Sequence, residues 1–299
     1  MNKRNLFLLS CIISATFAFS CTEQKESPKK EDAKIEKTKT DYPKGSLFII
    51  GGGSRPAEMV QTIATESGID SDGYGVILPM SSVEPDTAIF YSTRQFKKLG
   101  FNNVYGLQFT EGEILNQAKV DSIRNAKLVY ISGGDQSKFM AVVAGTDIEK
   151  AIHDAYANGS MIAGTSAGAA VMSEIMITGN ELKHPEYSST FRNIEVDNIE
   201  TAEGLGMLKT AIIDQHFVKR SRHNRLLSAV IEYPDMMSIG IDESTAIYIK
   251  NGTAKVEGIS QVLVFTNPKK DKLVQGDLLG AKGLQLDIYL PGESFDIAH

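Results

Sequence analysis

Between Ser46 and Ser244 the chain repeats one pattern: a short, unbroken apolar run that ends in small or polar residues, then an amphipathic stretch. The runs are "SLFIIGGG", "YGVILPMSS", "NVYGLQF", "KLVYISGGD", "SMIAGTS", "AIIDQH" and "MSIGIDES". Stretches such as "PAEMVQTIATES", "TAIFYSTRQFKKLG" and "TDIEKAIHDAYANG" lie between them. A strand with one wet face alternates apolar and polar side chains, so runs without alternation must be covered on both faces. Intervening helices supply that cover. The pattern predicts an α/β fold, a mostly parallel sheet flanked by helices in a three-layer sandwich. Thr146 and Glu149 stand at capping-box spacing at the start of a helix that Gly159 ends. After Ser244 the rhythm changes. "TAIYIKNGTAKVEG" places Asn251-Gly252 at a hairpin turn and "QVLVFTN" follows as another strand, which predicts a small antiparallel C-terminal addition. No internal repeat is visible.

With 299 residues, 42% of them hydrophobic, the chain can bury a sizeable core. Its net charge of −6 excludes a global attraction to nucleic acid. Met1-Asn2-Lys3-Arg4 is positive, and an apolar run from Leu6 to Phe19 follows, so residues 1–20 are expected to be a signal peptide. Ala18-Phe19-Ser20-Cys21 resembles a bacterial lipoprotein processing site, with alanine where leucine is usual. The expectation is an exported protein, lipidated at Cys21 and held to a bacterial membrane only through that anchor. Cys11 then leaves with the signal, and no thiol remains for a disulfide, a metal site or a nucleophile. Residues 22–43 mix Lys, Glu, Asp, Ser and Thr with almost no large apolar side chains. Residues 21–44 therefore read as lipidated cysteine and flexible tether, and 45–299 as the folded domain.

Ligands of open α/β sheets bind outside the carboxyl ends of the strands. There, "GTSAGAAVMSE" sets Ser166 between Gly164 and Gly168, after an apolar run and before helix-forming residues. This is the strand–turn–helix context of a G-x-S-x-G nucleophile elbow, whose helix start favours negative charge near the serine oxygen. A glycine-rich packing turn would look the same. Of five histidines, His216 alone closes a buried strand. An acid to orient it is offered by Asp242 or Glu243, and because strand neighbours point opposite ways only one can face the ring. The order serine, histidine, acid differs from that of α/β-hydrolases. Gly133 and Gly134 at another strand end, with the amide of Ala167, could form an oxyanion hole. "FIIGGGS" lacks both the G-x-G-x-x-G pattern and a P-loop lysine, which argues against nucleotide binding. In "KRSRHNR", Arg220, Arg222 and Arg225, with Lys219, crowd the start of a helix. A solvated basic face is the usual explanation for such a run, but cations there oppose the helix dipole and a bound carboxylate would satisfy both arginines and helix end. No cofactor or metal is expected.

Together "GGDQ" (133–136), "GTSAG", "DQHF" with the three arginines, and "GIDES" resemble the cyanophycinases, serine peptidases related to dipeptidase E. The likeness runs from about Gly45 through the final strands, with Ser244 where asparagine is common and residues 179–200 not aligned. It implies a fold similar to the flavodoxin-like class I glutamine amidotransferases. It implies Ser166 as nucleophile, His216 as base and Glu243 as orienting acid. Gln136, Asp214, Gln215, Arg220, Arg222 and Arg225 are implied to line the substrate pocket, Asp214 either meeting a substrate guanidinium or ordering the arginines. The implied partner is cyanophycin, a poly-aspartate carrying arginine on each β-carboxylate, or β-aspartyl peptides, cut to β-Asp-Arg dipeptides. A dipeptidase E-like aspartyl dipeptidase and an inactive substrate-binding lipoprotein remain alternatives, and a homodimer is left open.

Overall fold

The computed structural model describes residues 42–71, 73–186 and 190–297; the expected signal peptide, Cys21 and residues 22–41 lie outside them. In chain order come β1 (Ser46–Ile50), α1 (Ala57–Ser67), β2 (Gly75–Leu78), α2 (Pro85–Lys97), β3 (Val104–Gly106), α3 (Gln117–Arg124), β4 (Leu128–Ile131), α4 (Gln136–Val143), α5 (Asp147–Ala157), β5 (Met161–Thr165) and α6 (Ala167–Ala170). The chain continues through β6 (Ile175–Glu181), β7 (Ile199–Glu203), β8 (Ala211–Gln215), α7 (His223–Glu232), β9 (Met237–Ile241), β10 (Thr245–Lys250), β11 (Thr253–Gly258) and β12 (Val262–Thr266). It closes with β13 (Leu273–Gln275), β14 (Leu278–Gly280), β15 (Gln285–Tyr289) and β16 (Ser294–Asp296).

The main sheet has eight strands in the order β16-β11-β10-β1-β5-β4-β2-β3. Strands β1 to β5 run parallel to one another, and β10 joins β1 antiparallel. Alternate residues of β1 serve opposite faces. Phe48 and Ile50 pack with Met59, Val60 and Ile63 of α1 and with Phe96 of α2. Leu47 and Ile49 belong to the core on the other side, with residues of α3, α4 and α5. Both faces are dry, which is why the runs carry no polar alternation.

Two features go beyond the expectation. β8 and β9 are parallel neighbours, but they form a second, four-stranded sheet, β15-β12-β9-β8, instead of joining the main one. Ile213, Ile239 and Ile241 share a core with Ile247 and Ile249 of β10, while Ile212 packs with Leu226 and Val230 of α7. The antiparallel addition is not separate either: β10, β11 and β16 extend the main sheet, and β12 and β15 extend the second. The Asn251-Gly252 turn between β10 and β11 has both residues at positive φ, 51° and 77°, as a two-residue hairpin of this hand requires. At α5, Thr146 Oγ1 accepts from the Ile148 N–H (3.2 Å), while Glu149 reaches the N–H of Gly145 (2.7 Å), one residue before the cap.

Candidate active site

β5 lies in the middle of the main sheet, between β1 and β4, and Ser166 follows its last residue. Ser166 has φ 54° and ψ −113°, a strained backbone for a residue with a side chain. The turn is tight enough to demand its glycines: a Cβ at Gly164 would overlap the Gly168 carbonyl, and one at Gly168 the Ile131 carbonyl. The helix expected after the serine is only α6, one turn of four residues. Its dipole is correspondingly small, and the individual N–H groups matter more. The hydrogen bonds among the described residues leave the N–H groups of Gly133, Gly134 and Ala167 without an acceptor. Gly133 lies against the serine, an ideal Cβ there standing 3.3 Å from Ser166 Cβ and 3.8 Å from its Oγ.

His216 follows β8 at φ 50°, and Glu243 follows β9. His216 Nε2 is 2.8 Å from Ser166 Oγ, and its Nδ1 is 2.7 Å from Glu243 Oε1. Asp242, the other acid of the pair, points away: it accepts from the Lys219 N–H (2.9 Å) and from Ser260 Oγ (2.9 Å), bracing the loop after His216. The remaining described histidines stand elsewhere, with His184 paired to Glu195 (2.8 Å) and His223 packed on Phe217. His299 lies outside the described residues.

The glycines of "FIIGGGS" build part of this site. The Gly51 carbonyl accepts from His216 N–H (2.7 Å) and the Gly52 carbonyl from Ser244 N–H (2.8 Å). A Cβ at Gly52, where φ is +118°, would run into the imidazole, 2.6 Å from Nε2. One at Gly53 would stand 2.8 Å from Glu243 Cβ. The sequence signal was available: three glycines closing a buried strand mark a place where backbone must come close to something.

Burial pushes the His216 imidazole below its ordinary pKa; the hydrogen bond with Glu243 works against this, and the positive charges of Arg220 and Arg222 add to the lowering. The ring is therefore neutral near pH 7. With Glu243 accepting from Nδ1–H, the lone pair on Nε2 faces the serine hydroxyl. Such a chain can take a proton from the hydroxyl as the oxygen attacks a carbonyl, and return it to a leaving amine.

Ser166 opens onto a cleft of about 410 Å³ whose lining includes Gln136, Gln215, Arg220, Arg222 and Arg225. Arg225 makes a two-pronged pair with the fully buried carboxylate of Asp214, Nε to Oδ2 at 2.9 Å and Nη2 to Oδ1. Arg222 Nη1 stands 3.6 Å from the same carboxylate and donates to the Gln215 carbonyl (2.7 Å) and side-chain oxygen. Asp214 is thus an organiser of the arginines, and no edge of it is left for a substrate. One carboxylate among three guanidiniums keeps this wall positive. Gln136 Nε2 donates to the carbonyls of Ile177 (2.9 Å) and Thr178 (2.6 Å), tying α4 to β6. Through that tie Thr178, Gly179 and Asn180 enter the cleft, residues to which sequence reasoning gave no role. A larger cleft, about 780 Å³, is walled by Tyr42, His153 and Lys209 at the amino ends of the strands and contains no serine.

Ser166 at the carboxyl end of a main-sheet strand, with His216 and Glu243 at the carboxyl ends of two strands of the second sheet, forms a serine–histidine–glutamate chain of the kind that serine peptidases use. Residues 49–257 match the model of peptidase family S51. The chain is 30% identical over 281 residues to the cyanophycinase of Nostoc sp. (strain PCC 7120), covering 90% of this chain and 91% of that one. It is 32% identical over 228 residues to the cyanophycinase of Synechococcus elongatus, covering 74% and 68%. The crystal structure of a peptidase from an acI-B1 Actinobacterium matches with a TM-score of 0.60 at 21% identity, covering 85% of this chain and 97% of that one. A putative peptidase E of Listeria monocytogenes EGD-e matches with a TM-score of 0.50 at 16% identity, covering 72% and 99%. These two likenesses concern the fold. The chain belongs to peptidase family S51 and is a serine peptidase of the cyanophycinase and peptidase E kind.

Proposed function

We propose that the protein cleaves the aspartyl backbone of cyanophycin as an exopeptidase, releasing β-Asp-Arg dipeptides. The observation that carries this reading is the Ser166–His216–Glu243 chain opening onto a cleft with an arginine wall. In this mechanism Ser166 Oγ attacks the scissile carbonyl carbon as His216 Nε2 takes its proton, and Glu243 holds the imidazolium. The oxyanion sits on the N–H of Ala167 with those of Gly133 and Gly134. His216 then gives its proton to the leaving amine, and water resolves the acyl-enzyme by the same route. Arg220, Arg222 and Arg225 face the substrate carboxylates, and planar guanidiniums suit such partners better than ammonium groups. Lipidation at Cys21 would hold the enzyme on a membrane outside the cytoplasm, where polymer released by other cells is its substrate. The similarity to cyanophycinases along nine-tenths of the chain supports the substrate class.

The test is to incubate the protein with cyanophycin and, separately, with α-aspartyl dipeptides, and to identify products by mass spectrometry. β-Asp-Arg is expected from cyanophycin. Ser166→Ala is expected to lose roughly 10⁴-fold or more in rate with an unchanged thermal melt. Cleavage of the dipeptides alone would make it a dipeptidase E-like enzyme. Absence of both turnover and labelling by a serine-reactive probe would make it a binding protein.

A further inference from the structure

The arginine wall answers the substrate's carboxylates and leaves its guanidinium groups without a partner, since Asp214 is consumed by Arg225. Among the described residues that line the cleft, one carboxylate remains, Asp135. It follows Gly134, whose φ of +145° and close approach to the Ser81 carbonyl admit no side chain, and its own N–H is fixed on that carbonyl at 2.8 Å. Asp135 is the N-cap of α4, and Oδ1 alone does the capping, accepting from the N–H groups of Ser137 (2.9 Å) and Lys138 (3.3 Å). Oδ2 has no hydrogen bond, and the carboxylate forms no ion pair among the described residues. The side chain is exposed, so a ligand can reach it. It is therefore held at its base and open at its tip.

We infer that Asp135 is a specificity-determining residue that receives a cationic side chain of the substrate, opposite in charge to the arginine wall. The cleft is then bipolar, matched to a ligand with carboxylate and guanidinium on one short branch. The inference rests on the function proposed above and adds to it the group that recognises the arginyl branch. Gly134 and the α4 cap hold the carboxylate in place before substrate arrives, so little ordering cost opposes the contact.

Asp135→Asn isolates the charge, because asparagine caps a helix as well as aspartate does. The substrates are a synthetic segment of the β-arginyl poly-aspartate and the same segment with citrulline, a neutral near-isostere, in place of arginine. For the wild-type protein kcat/KM is expected to fall roughly 5- to 30-fold from the arginyl to the citrullinyl segment, mainly through KM, as for a charge-assisted contact partly screened by water. Asp135→Asn is expected to lose about as much on the arginyl segment, to lose nothing on the citrullinyl one, and to melt like wild type. A variant that keeps the wild-type preference for arginine would overturn the role of Asp135 while leaving the proposed function standing. Wild-type protein that cleaves neither segment would overturn both.

Discussion

Arg220 is half-buried in the cleft wall, and among the described residues its guanidinium has no hydrogen bond or ion pair. It differs in this from Arg222 and Arg225, each 5% exposed and engaged with Asp214 and Gln215. Removing Arg225 would strand the Asp214 carboxylate inside the protein, and breaking a buried pair costs about 3–5 kcal/mol. Loss of activity there would mix unfolding with lost recognition, so Arg220 is the residue that reports cleanly. Its charge also depresses the His216 pKa. Arg220→Gln is expected to raise that pKa, because imidazolium is no longer opposed by a nearby cation. The acid limb of kcat/KM should then move to higher pH, alongside a fall of roughly 10-fold or more on the proposed substrate, cyanophycin. A pH profile superimposable on wild type would remove Arg220 from the base's surroundings. At this scale much was legible in the sequence. His216 stood out because it alone closes a buried strand, and the choice of Glu243 over Asp242 depended on which of two neighbours turns inward, a matter of strand orientation that residue types do not reveal.

Among the elements, the loop after β1 joins the parts of the site. Strands were legible because burial on both faces leaves an unbroken apolar run. Which strands pair was not, since a run's hydrophobicity says nothing of its neighbour, and β8 and β9 accordingly went to a second sheet. The β6–β7 hairpin was harder still. Its register shifts between Ile177 and Glu181, so no clean alternation marks it, yet it supplies a wall of the cleft. The Gly51–Gly53 loop bridges the two sheets, with its carbonyls accepting from His216 and Ser244 and its Cα atoms against His216 and Glu243. Gly52→Ala tests this. A methyl group there must displace the imidazole, and φ +118° is strained for any L side chain. Displacements of about 1 Å at a catalytic group cost on the order of 100-fold. The expected result is at least that loss in kcat with KM little changed, because the cleft wall is untouched. Wild-type kcat in a folded Gly52→Ala protein would show that the loop does not set the ring's position.

The site belongs to neither sheet alone. Ser166 comes from the main sheet, His216 and Glu243 from the second, and the imidazole is buried where the two meet. Placing a titratable base at that junction ties the stability of the whole fold to pH. Burial holds the folded-state pKa of His216 below its unfolded value, near 6.5 for a free imidazole. Between those two values the unfolded chain binds the proton and the folded one does not. The contribution is therefore fully present above the unfolded pKa and is lost as pH falls from there through the lowered folded value. Thermal melts should accordingly show Tm falling as pH drops below about 6.5, before the carboxylates begin to titrate near 4. His216→Gln removes the titrating group while keeping a polar side chain at the junction, and it is expected to flatten this part of the curve. Wild-type and variant curves that stay parallel from pH 8 to pH 5 would mean that protonation of His216 is not opposed by its burial. The proposed role of His216 as a depressed base setting the acid limb of catalysis would then have to be abandoned as well.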